Sequence, residues 1–258
     1  MTTELSCPPE ESVLNQHIAG TDDTEYALVI ENADRPSLIG QMIEDMFTRQ
    51  PVEVDTKALS DDEQSRLILL NNGRIAASSP LQEIESSLLL VNSDRYITGA
   101  ASLENIEYPD VITALTEAQF RLQGYPESNK EKLILVLISR YIERLSYEHG
   151  GVHRASFQRL SRLLDESGTE SVYRRLGDAD VDTHVYGVPD QVPPRGYNVK
   201  IHGGYMCDYR NSWFVVHQSE TAAAALMAIE IAPNEWKAEW TFNPNKVATI
   251  NEVIRTNL

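Results

Sequence analysis

Apolar positions change period along this chain, and the changes divide it into elements. EYALVIEN at 25–32 is a short apolar run ending at Asn-Ala-Asp, which predicts a strand and a turn. Leu38, Ile39, Met42, Ile43, Met46 and Phe47 recur at helical spacing between Pro36 and Pro51 and predict an amphipathic helix. RLILLNNGRIAASSP at 66–80 places two apolar runs around Asn71-Asn72-Gly73, residues that tolerate the positive φ of a tight hairpin. Pro80 opens a short helix in LQEIESSLLLV, and VITALTEAQFRL predicts another over 111–122. The longest periodic segment is 130–149, where Leu133, Ile134, Leu137, Ile138, Tyr141, Ile142 and Leu145 share a broad face. Ser128 with Glu131 forms a capping-box pattern ahead of it, and Gly150-Gly151 supplies the stop.

Beyond Gly151 the period shortens. HRASFQRL reads as a strand, TESVYRRLG as a helix and DTHVYGV as a strand, a βαβ-like crossover joining parallel neighbours. After the proline-rich VPDQVPPRG come YNVKIHGG, WFVVHQS, the ambiguous TAAAALMAIEI and EWKAEWTF, with connections short enough for an antiparallel meander. In EWKAEWTF, period two puts Trp236, Ala238, Trp240 and Phe242 on one face, the pattern of a half-buried strand whose default role is core. Asn243 and Pro244 then open a last helix with Val247, Ile250, Val253 and Ile254 as its docking stripe. The expected class is α+β: a mixed, largely antiparallel sheet flanked by helices, with the βαβ-like crossover in the C-terminal half.

The chain has 258 residues, 41% hydrophobic, enough for a substantial core, with a polar start at 1–24 that reads as a disordered tail. The formal charge is -17, and lysine stands only at positions 57, 130, 132, 200, 237 and 246. An acidic, lysine-poor surface stays hydrated in concentrated salt, so the charge points to salt adaptation as well as away from nucleic acid and anionic membranes. Cys7 and Cys207 are far apart, and no disulfide framework is expected. No apolar run reaches the ~20 residues of a membrane span and no leader pattern opens the chain, so a cytoplasmic location is expected.

Four separated motifs agree in order: SNKEKLILVLISRYIE, FQRLSRLLDESGTESVYRRL, DTHVYGVPD and WTFNPNKVATINEVI. In them the chain resembles the DICT sensory domain associated with diguanylate cyclases and two-component systems, in the stand-alone form of extreme halophiles. The resemblance runs from about Glu25 to the end as one domain, and residues 128–258 carry its clearest motifs. It implies a non-catalytic regulatory role in signal transduction, with a link to light response, and brings no ligand or catalytic residue with it. A stand-alone sensor passes its signal by association, so a kinase, a transcription regulator or a second copy is the expected partner.

No kinase nucleotide box, cyclase motif, phosphate-cradling loop or Gly-x-Ser-x-Gly elbow is present. His184, His202, Cys207 and His217 match no compact metal-ligand spacing, and neither metal nor cofactor is expected. Candidate ligand-contacting residues are Trp213, Trp236, Trp240, Phe242, His184 and Tyr186, where the aromatic face approaches WFVV and DTHVYGV. Arg159, Arg162, Arg174 and Arg175, with Arg154, are candidates for an anion or partner patch, against internal pairing with Asp165, Glu166 and Glu170. The alternative function is a DNA-binding transcriptional regulator reading DNA with the TESVYRRLG helix, and a small-molecule enzyme ranks after it.

Overall fold

A computed structural model describes residues 8–18, 25–32, 38–58, 64–96, 108–123, 131–165, 167–191 and 193–258. Its strands form two sheets. The smaller has four strands in the order β2-β1-β3-β4, from β1 (Tyr26–Asn32), β2 (Glu53–Ala58), β3 (Arg66–Asn71) and β4 (Arg74–Pro80). Helix α1 (Leu38–Phe47) lies between the parallel strands β1 and β2 in the chain, while β3 and β4 form the expected hairpin with Asn72 at φ 49° and Gly73 at φ 73°. Strand β2 is absent from the sequence pattern because EVDTKA is an exposed edge strand with one apolar residue facing in, Val54.

Helix α2 (Leu81–Tyr96) follows. The next element departs from expectation. The helix predicted over 111–122 ends early, as α3 (Asp110–Ala114), and Glu117 at φ 62° turns the chain into strand β5 (Phe120–Gln123). Tertiary partners override the local pattern: Glu117 N–H donates to the Trp240 carbonyl at 2.8 Å, and Phe120 and Leu122 pair in register with Ala238 and Trp236.

The larger sheet has the order β5-β11-β10-β9-β6-β7-β8. Helix α4 (Glu131–His149) ends at Gly150 and Gly151, at φ 65° and 84°, which reverse the chain into β6 (Gly151–Arg159). A Cβ at Gly151 would fall 2.5 Å from the Gln218 carbonyl oxygen, so this turn requires glycine twice over. Helices α5 (Arg162–Asp165) and α6 (Ser167–Asp178) carry the chain to β7 (Val181–Val188), parallel to β6, which is the expected crossover.

β8 (Lys200–Gly203) is parallel to β7, where the sequence reading placed the start of an antiparallel meander. The connection crosses the end of α6, pinned by Asn198 Nδ2 donating to the Gly177 carbonyl at 2.7 Å, and returns the chain to the start of β7. Helix α7 (Cys207–Asn211) leads into β9 (Ser212–Gln218), β10 (Ala223–Ala232) and β11 (Glu235–Thr241), an antiparallel run that fixes TAAAALMAIEI as strand. Helix α8 (Pro244–Asn257) ends the chain. The fold is α+β with mixed, mostly antiparallel sheets flanked by helices.

Each face of the large sheet carries its own core. On the inner face Trp240, Ala228, Val215, Ala155 and Val185 join the small sheet and helices α1 to α4 and α6. On the outer face Phe214, Val216, Met227 and Tyr186 meet Val247, Ile250 and Ile254 of α8. Within the stretch expected as a tail, residues 8–18 pack here, with Leu14 and Ile18 buried and Asp208 accepting from Ser12 Oγ and Val13 N–H. Cys207 is disulfide-bonded, which corrects the expectation of no bridge: separation in sequence sets no limit on proximity in space. The chain's other cysteine, Cys7, lies outside the described residues.

Candidate functional site

Strand β6 puts consecutive side chains on opposite faces, His153 inward and Arg154 outward. Register aligns Arg154 with His184 and His184 with Lys200, so three basic residues form one row across β6, β7 and β8 at ~4.8 Å per strand. The next row holds Ser156, Tyr186 and His202. Arg154 is 5% exposed; its Nε donates to Asn251 Oδ1 at 2.5 Å and its Nη1 to the Tyr186 hydroxyl at 2.6 Å.

Helix α8 brings Asn251 to this place. Asn243 Oδ1 caps the helix by accepting from the Asn245 N–H, Pro244 fits its first turn, and the buried Val247, Ile250 and Ile254 fix its rotation. Asn251 Nδ2 then donates to Gln218 Oε1 at 2.7 Å, bridging β6 and β9.

His202 stacks on Tyr186 with centroids 4.4 Å apart and on His184 at 5.1 Å. His184 Nδ1 and His202 Nε2 are 2.9 Å apart, a hydrogen bond that needs a proton on only one of them. Asp182 pairs with Lys200 Nζ at 2.6 Å. Its other oxygen is 3.2 Å from His184 Nε2, a contact that helps hold Asp182 down and works against the lowering of His184. Burial, followed by the Arg154 charge, lowers the His184 pKa; burial, then His184 and Arg154, lowers that of His202. The Lys200 hydrogen bond holds Asp182 below its usual range.

Behind the same strand lies a closed polar chain. The Tyr173 hydroxyl is 3.1 Å from His153 Nε2, and His153 Nδ1 is 2.8 Å from Ser146 Oγ. Tyr173 also bonds the buried Glu143, which accepts from Arg140 Nη1 at 2.7 Å. With Tyr173 donating to the carboxylate and His153 Nε2–H to Tyr173, the single Ser146 hydroxyl proton is shared between His153 Nδ1 and the Ile142 carbonyl at 2.9 Å. Burial lowers the His153 pKa to about 3, with help from His217 and His184. His217, opposite His153 on β9, is lowered to about 4 by burial and then His149, with a hydrogen bond to the Val152 backbone working against the shift.

The residues singled out in the sequence divide between these faces. Trp240 is 1% exposed on the inner face and stacks on Phe120 at 4.7 Å; Trp213 and Trp236 pack against the same core, and Phe242 meets Tyr141 edge-on at 5.7 Å. His184 and Tyr186 are on the outer face, so the sheet itself separates them from the tryptophans. Of the arginines, Arg174 pairs with Glu170 at 2.9 Å and covers the Tyr197 ring, Arg175 lies over Tyr147, and Arg162 bonds Gln158. Arg159 is exposed at the end of β6. Period two in DTHVYGV and KIHGG could have found Asp182, Lys200 and His202 as neighbours of His184. Nothing local marks Asn251, which acts through the docking angle of α8. Among the described residues no group of three or more His, Cys, Asp or Glu is arranged to hold a metal, and no helix is long and apolar enough to cross a membrane.

Residues 110–230, from α3 into β10, match the family model of DICT, described as a sensory domain in diguanylate cyclases and two-component systems. This segment is a DICT domain. Both clusters at β6 fall inside it apart from α8, which supplies Asn251 from beyond the matched region. No curated protein matches the chain. A polyphosphate kinase crystal structure from Porphyromonas gingivalis aligns with 93% of this chain and 46% of its own at 10% identity and TM-score 0.33, a likeness too low to carry an argument.

Proposed function

We propose that this DICT protein is a non-catalytic sensory and regulatory protein of signal transduction, that its outer face around Arg154 receives a small ligand, and that α8 reports the event. The observation that carries the reading is Arg154 itself: a buried cation of the DICT segment held by the neutral acceptors Tyr186 and Asn251, one of them on the terminal helix. A group bound there acts on the packing of α8 directly. Output passes by association with a signalling protein, such as a kinase or a transcription regulator, or with a second copy. The acidic charge fits work in concentrated salt.

Native mass spectrometry and an absorption spectrum of protein purified from its own host, with hydrogen exchange of α8 before and after ligand removal, test this. A bound small molecule whose removal speeds α8 exchange is the expected result, and absorption beyond the tryptophan band would make it a chromophore. Exchange in α8 that is the same with and without every molecule bound would refute the reading.

A further inference from the structure

The chemistry of the outer row narrows what it can take. Buried charge is tolerated when it is paired with opposite charge or saturated by hydrogen bonds. Arg140, on the inner face, meets the first condition through Glu143. Arg154 meets neither: it forms no ion pair with a described residue, only two of its N–H groups are bonded, both to neutral oxygens, and its Nη2 donates to no described residue.

Its neighbours in the row are served by Asp182 and do not fill that deficit. Lys200 is paired with Asp182, and Glu252, whose carboxylate feels the Arg154 charge, is hydrogen-bonded to Arg255, so neither acid forms an ion pair with Arg154. When His202 Nε2–H donates to His184 Nδ1, the His184 proton sits on Nε2 and faces Asp182 Oδ2 at 3.2 Å, so it is already engaged by a carboxylate. The fixed guanidinium edge of Arg154, with Nη2 unbonded, is the donor of this row for oxygen atoms that bear negative charge. Tyr186 and Asn251 hold the guanidinium in orientation without cancelling its charge.

We infer that the Arg154 row binds a small oxyanion, the phosphate or carboxylate group of the ligand. The inference rests on the sensory reading of this face and names the chemistry it reads. Asn251 serves as the neutral placeholder that lets an incoming anion and α8 share one guanidinium.

Inorganic phosphate and acetate, titrated separately into the full chain at constant ionic strength with chloride as the balancing ion, give the test by calorimetry and melting temperature. Saturable one-to-one binding of either is expected, phosphate the tighter for a phosphoryl ligand and acetate for a carboxylate. Arg154→Gln should weaken it by about tenfold or more, the worth of a charge-assisted bond. Asn251→Asp sets a carboxylate against Arg154; it should raise the melting temperature without added anion and suppress anion binding, and it decides the matter if Arg154→Gln does not fold. Arg174→Gln should bind as wild type does. No binding of either anion, or equal binding by Asn251→Asp and wild type, overturns the inference. A different molecule that co-purifies and slows α8 exchange would preserve the sensory reading while this one falls.

Discussion

His153 and Arg154 are neighbours in sequence and lie in two unlike environments a strand's thickness apart. On the inner face His153 belongs to a chain that runs through Tyr173 and Glu143 to Arg140, where an opposite charge ends it. On the outer face Arg154 belongs to a row that runs toward the sheet edge and holds a cation on neutral acceptors. A completed buried network fixes one packing, whereas an incomplete one next to an edge strand leaves donors for something else. On the reading proposed above, the inner cluster serves structure and the outer one recognition.

The largest test of that division is Trp240→Ala on the inner face. Removing a fully buried indole stacked on Phe120 should cost about 3–5 kcal/mol in chemical denaturation and leave oxyanion binding at the outer face intact. A stable variant that loses ligand would mean that the faces are not separate.

The second test is pH. His153 and His217 have native pKa values near 3 and 4 against 6.5 for the unfolded chain, so the unfolded state takes up protons first as pH falls. The stability tied to their neutral forms is complete above pH 6.5 and is lost toward pH 4, at about 1.4 kcal/mol per pH unit per histidine. Glu239, raised from 4.5 to about 7 by burial despite the Lys246 hydrogen bond, acts with the opposite sign: its contribution is present at low pH and lost as pH rises through about 7. Two histidines outweigh one carboxylate between them, so the melting temperature should drop from pH 6.5 to 4.5. His217→Gln should flatten that slope; an unchanged slope would show that the inner histidines are not held neutral.

The smallest effect is expected from Arg174→Gln, outside both clusters. Its partner Glu170 stays bonded by Tyr197, and an exposed ion pair between neighbouring helical turns adds little, so the melting temperature should hardly move. A large drop would make the α6 arginines part of the structural network.

Much of this architecture was legible in sequence where a pattern is local. The α4 heptad-like face, the Asn72-Gly73 turn, the alternation in EWKAEWTF and the Asn243-Pro244 helix start each state their own outcome. Where a segment takes its conformation from a distant partner, the pattern misled: AQFRL belongs to a helical run by spacing and to a strand by pairing with β11. The candidate site was read in the same uneven way. His184 and Tyr186 share a face by period two, but joining them to the tryptophans required knowing which side of the sheet each strand presents.

The sequence by itself determined the elements whose pattern is local, their apolar faces and the family signature, because propensity, capping and periodicity act within a few residues. Only the tertiary structure decided that β8 runs parallel to β7, that residues 8–18 share a core with α8, and that Asn251 meets Arg154. Those outcomes depend on strand register and helix docking, in which residues 97 positions apart set each other's hydrogen bonds.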